Sequence, residues 1–177
     1  MDAHGVCSQL KGYLMRSIAL TGPAAVSVPP GLLAKLQLIE DLDLSRAQDR
    51  MSVDFPGSET SFDEVSTEVK RFLALAVLEQ NPGHRIVIGE KIDGLWHYFI
   101  LHTKEYRDFC RNVFGSYLHH VPILPPEKHE LAADYAKTRD LYRSYFGEPP
   151  AHLWGDNDMI CWGGCDEIRE DVLAKPH

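Results

Sequence analysis

Residues 93–122 read DGLWHYFILHTKEYRDFCRNVFGSYLHHVP, and this stretch decides the fold. Ile92, Leu95, Trp96, Phe99 and Ile100 recur every three or four positions, as one apolar face of a helix requires. Tyr106, Phe109, Cys110, Val113 and Phe114 repeat the pattern on a second helix, with Thr103 as its expected N-cap and Gly115 as its stop. The same stretch carries four histidines and an aspartate at its edges. Either these groups meet around a metal ion, or they border an ordinary helical core.

Working outward, GLLAKLQLIEDL from Gly31 to Leu42 reads as a helix entered through Pro29 and Pro30. Phe62, Val65, Val69, Phe72, Leu73 and Ala76 follow helical spacing, and Ser61 with Glu64 forms a capping-box pattern before them. Arg85 to Gly89 is β-branched but too short to promise a sheet. A last long helix is expected after Pro125 and Pro126, turning Leu131, Tyr135, Thr138, Leu141, Tyr142, Tyr145 and Phe146 inward and stopping at Gly147. From Pro149 to Gly164 the chain is rich in Gly, Pro, Trp and Asp, so an ordered, irregular tail is expected. The fold class is mainly α: one compact helical bundle over residues 1–177, with a loosely packed segment at 1–30 and a motif-bearing core at 61–164.

The 177 residues suffice for a core without staples, and 44% hydrophobic with 25% charged residues is ordinary for a globular chain. A net charge of −8 argues against nucleic acid as the main partner, since phosphate backbones want a basic face. No run reaches the roughly 18 apolar residues of a membrane span. The signal-like stretch from Met15 to Pro30 is interrupted by Gly22 and Pro23, so a cytoplasmic location is expected. Cys7, Cys110, Cys161 and Cys165 are too sparse for a disulfide scaffold, and free thiols are the simpler reading.

Asp93 and His97 stand four apart, roughly 40° from each other around a helix. They flank the apolar stripe at the edge of the core, where a carboxylate and an imidazole can share one divalent ion, or the carboxylate can orient the histidine. His102 would point roughly 140° away on a continuous helix and joins the site only if the helix ends near Leu101. His119 and His120 follow the glycine stop in a segment expected to be extended, where neighbours point to opposite faces. His120, beside the stiff Val121-Pro122 step, is the preferred ligand, with His119 and His102 as alternates. Against this stands the plain alternative that a histidine beside an aromatic helix is more often a hydrogen-bonded core-edge residue. Cys110 lies within its helix's apolar stripe and reads as packing.

The motif Asp93, Trp96-His97, Ile100-Leu101, Thr103, Tyr106, Cys110, Phe114-Gly115, Leu118-His119-His120 and Pro122 resembles that of the glycine-rich domain-containing protein-like family. The flanks Phe72-Leu73-Ala74-Leu75, Thr138, Leu141-Tyr142 and Phe146-Gly147 are similar too, so the resemblance spans Ser61 to Gly164. Where that family commonly carries aspartate, this chain has His102, an exchange compatible with ligation or with a tolerant surface position. The resemblance implies no reaction, and the chain has no glycine-rich tract.

The tail HLWGDNDMICWGGC places Cys161 and Cys165 four apart without the second pair that a zinc knuckle needs. The favoured reading is a loop in which Trp154 and Trp162 cover the core. The leading expectation is therefore a helical domain binding one divalent transition metal, zinc or iron, or copper if thiolates join, through Asp93, His97 and His120. Such a set leaves positions open for water or substrate, so a metalloenzyme with Tyr106 or a spare histidine as acid-base group is within its chemistry. The rival from another class is a protein-interaction module with structural histidines; a closed, folding-only zinc site is a third.

Overall fold

The computed structural model describes residues 18–48, 53, 60–79, 84–122, 128–155 and 163–164. Six α-helices occur among them: α1 (Pro30–Glu40), α2 (Phe62–Leu78), α3 (Glu90–Leu101), α4 (Thr103–Val113), α5 (Lys128–Phe146) and the single turn α6 (Ala151–Trp154). Short 3-10 turns cover Pro23–Ser27 and Ser45–Ala47. The strands β1 (Val121–Pro122) and β2 (Gly163–Gly164) form one minimal antiparallel pair, with Val121 opposite Gly164. The mainly α expectation holds.

Ser61 opens α2 as its sequence suggests. Its Oγ accepts from the Glu64 N–H at 3.2 Å, and the Glu64 carboxylate accepts from the Ser61 N–H at 2.8 Å. This satisfies two helix-end donors reciprocally. From Phe72 to Leu78 every α2 side chain is buried. A helix apolar all round belongs in the middle of a fold, and α2 indeed packs between α1 and α3. Leu33, Leu36 and Ile39 of α1 supply one wall; Ile92, Leu95, Trp96 and Phe99 of α3 supply another. The Trp96 indole meets Phe72 edge-on at 4.9 Å.

The junction of α3 and α4 differs from expectation. Thr103 does not cap α4; it is the first helical residue, and His102 stands at both helix ends with φ −80° and ψ 60°. The His102 Nδ1 lies 2.8 Å from the Tyr98 carbonyl, so the imidazole serves the end of α3 rather than the start of α4. At the far end of α4, Gly115 adopts φ +80°, and its N–H donates to the Cys110 carbonyl at 3.2 Å. A Cβ there would meet nothing within 4 Å, so glycine is needed for its conformation and not for space.

The Arg85–Gly89 run builds no sheet of its own. Ile86, Val87 and Ile88 are buried, and the Val87 N–H donates to Thr138 Oγ1 of α5 at 3.1 Å. Along α5, Leu131, Tyr135, Thr138, Tyr142 and Phe146 are buried, with Leu141 and Tyr145 half-buried. Of the segment expected to pack loosely, the described part is docked. Ile18, Ala25 and Val28 are buried, and the Thr21 and Gly22 N–H groups donate to the Tyr145 carbonyl at 2.9 and 2.8 Å. A side chain at Gly22 would overlap the Ser144 carbonyl, and this close approach explains the glycine.

Trp154 covers the core as expected. It stacks on Tyr135, meets Tyr142 edge-on at 4.9 Å, and its Nε1–H donates to Glu68 at 2.7 Å. Trp162, Cys161, Cys165 and Cys7 lie outside the described residues.

Candidate metal centre

Asp93 sits one turn into α3 and is 2% exposed. A buried carboxylate is costly unless hydrogen-bonded, and here both oxygens are engaged. Oδ2 lies 2.8 Å from Nδ1 of His97, one helical turn on, and Oδ1 lies 2.8 Å from Nε2 of His120. The His97 Nδ1 is also 2.9 Å from the Asp93 backbone carbonyl. These partners only accept, so Nδ1 of His97 and Nε2 of His120 carry the protons in the metal-free arrangement. The imidazoles face each other with ring centres 4.3 Å apart.

The fold brings His120 to this point through three devices. Gly115 turns the chain out of α4, and the buried Tyr106 hydroxyl donates to the Leu118 carbonyl at 2.6 Å. Leu118 is itself buried, and Val121, immediately after His120, enters the β1–β2 pair. The His120 ring then stacks on the Trp96 indole at 4.8 Å and 23°. Trp96 is fully buried, and its Nε1 has no hydrogen-bond partner among the described residues.

Asp93, His97 and His120 each offer a ligand atom within 4.8 Å of the others, close enough to hold one metal ion. His119 and His102 are not in this group. Neighbours in an extended segment diverge, and the His119 ring lies against Tyr117 at 4.8 Å. His102 is held by Tyr98 and lines a small cavity with Asp43, Arg46 and Glu105. Cys110 is buried, and burial pushes its thiol up, which suits packing and not ligation. Tyr106, a candidate acid-base group, spends its hydroxyl on Leu118 and acts as a positioning residue.

The His97 imidazole is 49% exposed, while Asp93 and His120 are largely covered, so the cluster opens to solvent on the His97 side. The hydrogen bond to the Asp93 carboxylate raises the His97 pKa above its ordinary 6.5; burial opposes this, and the Asp93 charge and backbone carbonyl add to it.

Sequence reasoning did not find the second polar cluster. Glu68 of α2 is 2% exposed and accepts from Arg71 at 2.8 Å, Tyr142 at 3.1 Å and Trp154 at 2.7 Å. Burial pushes the Tyr142 phenol up, and the Glu68 charge adds to that. The available signal was a glutamate amid an otherwise apolar α2, beside an arginine three residues on.

Fold and site together define an all-helical protein with an Asp-His-His cluster at the edge of an aromatic core. A family model described as UCP032817-like matches residues 34–138, more than half of the chain, and the protein belongs to that family. The glycine-rich domain-containing protein-like resemblance is thereby corrected. Several of its shared positions are demanded by packing: Trp96, Tyr106 and Cys110 are fully buried, and Gly115 has a positive φ. These positions are therefore accounted for by packing and by backbone conformation. No curated protein and no solved structure matches the chain. No helix among the described residues is long and apolar enough to cross a membrane.

Proposed function

We propose that this protein binds one divalent transition metal ion through Asp93, His97 and His120. The observation that carries the reading is the convergence of the three donors within 4.8 Å, two from one helix and one from a separately anchored segment. Imidazole and carboxylate suit zinc or iron(II). At bond lengths of roughly 2.0–2.1 Å, two ligand atoms of a tetrahedral zinc site stand about 3.3 Å apart. The 2.8 Å contacts would therefore have to lengthen for an ion to be held among these donors. Three ligands leave a coordination position for water or a substrate oxygen on the exposed His97 side, the arrangement that hydrolytic or oxidative metal chemistry uses.

The test is elemental analysis of protein purified without an affinity tag and reconstituted with zinc or iron(II). About one ion per chain is expected for the wild type and none for His97→Ala. Full metal content in His97→Ala would remove the site from this region. A second reading, an interaction module with structural histidines, draws on the same contacts, because the imidazoles satisfy Asp93 without an ion. It predicts no stoichiometric metal under any reconstitution.

A further inference from the structure

A cleft of about 640 Å³ runs along α4, away from the residues that form the histidine cluster. Lys104, Arg107 and Arg111 line it together with Gly115, Ser116 and Tyr117. Spacings of three and four residues put the three cations on a single helix face. Thr103 also lines the cleft, and no carboxylate does. In a chain with 26 acidic and 18 basic side chains, that is a local reversal of sign. We propose that this cleft binds a small, water-soluble phosphate-bearing molecule.

Three arguments converge on that ligand class. First, the three cations share one neighbouring carboxylate, Asp108, and are only partly neutralised. Arg107 and Arg111 approach Asp108 at 3.3 and 3.9 Å, but these side chains are 47–69% exposed, and exposed ion pairs contribute little. Lys104 has no ion-pair partner among the described residues. Second, the donors suit a tetrahedral, multiply charged group. Two guanidinium forks, one ammonium and the hydroxyls of Thr103, Ser116 and Tyr117 border one space, whereas a lone carboxylate would occupy only one fork. Third, the volume fits a small organic molecule, and the half-buried Tyr117, which packs on Tyr106 and His119, lends the cleft an aromatic side chain for a non-phosphate portion. An extended polyanion is disfavoured, because the chain as a whole carries −8 and would repel what protrudes.

The site uses none of the proposed metal ligands, so it is tested on the full chain with chelator present. Backbone amide NMR would follow titration with inorganic pyrophosphate, with citrate as a phosphate-free polyanion, and with vesicles of phosphatidylcholine containing a phosphoinositide. The expected result is saturable pyrophosphate binding, with shifts centred on Lys104, Arg107, Arg111, Ser116 and Tyr117. Citrate should bind at least about tenfold more weakly, and Arg107→Glu with Arg111→Glu should weaken pyrophosphate by at least about tenfold. Lys104→Gln with Arg111→Gln serves as a milder pair if the reversal disturbs folding. Shifts centred elsewhere, citrate binding as tightly as pyrophosphate, or vesicle binding without pyrophosphate binding would each overturn the assignment.

Discussion

Replacing Asp93 by alanine separates what the carboxylate does for the fold from what it does for an ion. In metal-free protein the substitution removes the His120 acceptor and leaves His97 with only the backbone carbonyl of residue 93. The His120 contact is nearly buried, with side-chain exposures of 11% and 3%, so its loss falls in the range of about 1.5–3 kcal/mol for a hydrogen bond to a charged group. The His97 contact ends on a half-exposed ring and contributes about 0–1 kcal/mol. Removing a buried carboxylate also relieves its desolvation, so the net loss should be about 2 kcal/mol. At about 2–4 °C per kcal/mol for a chain of this size, Tm falls by about 4–8 °C in chelator.

Zinc then distinguishes the two roles. At a free concentration of about 100 times Kd, a ligand that binds only the folded state adds about 2.7 kcal/mol. Wild-type Tm should rise by about 5–11 °C. Losing a ligand or its orienting partner weakens binding by about 10–100-fold or more, which removes about half of that rise at the lower bound and most of it at the upper in Asp93→Ala. Circular dichroism melts of both proteins, with chelator and with zinc, give all four values. A chelator Tm within about 1 °C of wild type would refute the energetic account of the buried carboxylate. Equal zinc-induced rises in both proteins would place the ion elsewhere.

The His97 imidazole should titrate above 6.5 in metal-free protein by NMR, because its protonated form is held by Asp93. The stability this supplies is fully present below the unfolded value and is lost as pH rises through the folded one; a midpoint at or below 6.5 contradicts it. Zinc affinity should run the opposite way, weakening as pH falls through the same raised midpoint, since ligation needs the neutral ring. Glu68→Ala should cost about 3–5 kcal/mol by stranding Arg71, Tyr142 and Trp154, and Glu68→Gln, which keeps an acceptor oxygen, clearly less; equal chemical-denaturation curves for the two would show that a neutral acceptor recovers nothing and would refute the hydrogen bonds as the source of the loss. Gly115→Ala should lose about 1–2 kcal/mol in thermal unfolding through its positive φ alone, with Gly115→Asn recovering part; a neutral alanine would mean the turn relaxes freely.

What was legible in the sequence was local. The capping box at Ser61 and Glu64, the periodic faces of the helices and the glycine stops at Gly115 and Gly147 are properties of a few neighbouring residues. So is the Asp93–His97 pair, because helix geometry alone sets its spacing. The preference for His120 over His119 rested on strand-like alternation and on Pro122, and both residues proved to face different aromatic partners, Trp96 and Tyr117. The Glu68 cluster was not legible. Its donors Tyr142 and Trp154 lie 74 and 86 positions away, and an ionisable residue on a helix looks solvated until the fold closes over it. The His102 cap escaped for a related reason: threonine's capping propensity predicted an ordinary N-cap, whereas the chain joins two helices through one residue and leaves no room for one.

The chemistry of the candidate centre follows from where the fold puts Asp93. Burial would drive a lone carboxylate toward its neutral form, but two imidazole N–H donors stabilise the anion and keep it available. Each imidazole directs an N–H toward Asp93; for the same nitrogen to serve as a ligand in the proposed metal site, that proton would have to move to the other ring nitrogen or leave. On the proposed reading, proton and metal would therefore compete for the same nitrogens. The components are held in place independently of either occupant: Asp93 and His97 by one turn of α3, and His120 by the Trp96 stack and the Tyr106–Leu118 bond. Such preorganisation would lower the cost of assembling the proposed site, and the half-exposed His97 ring leaves its edge open to solvent.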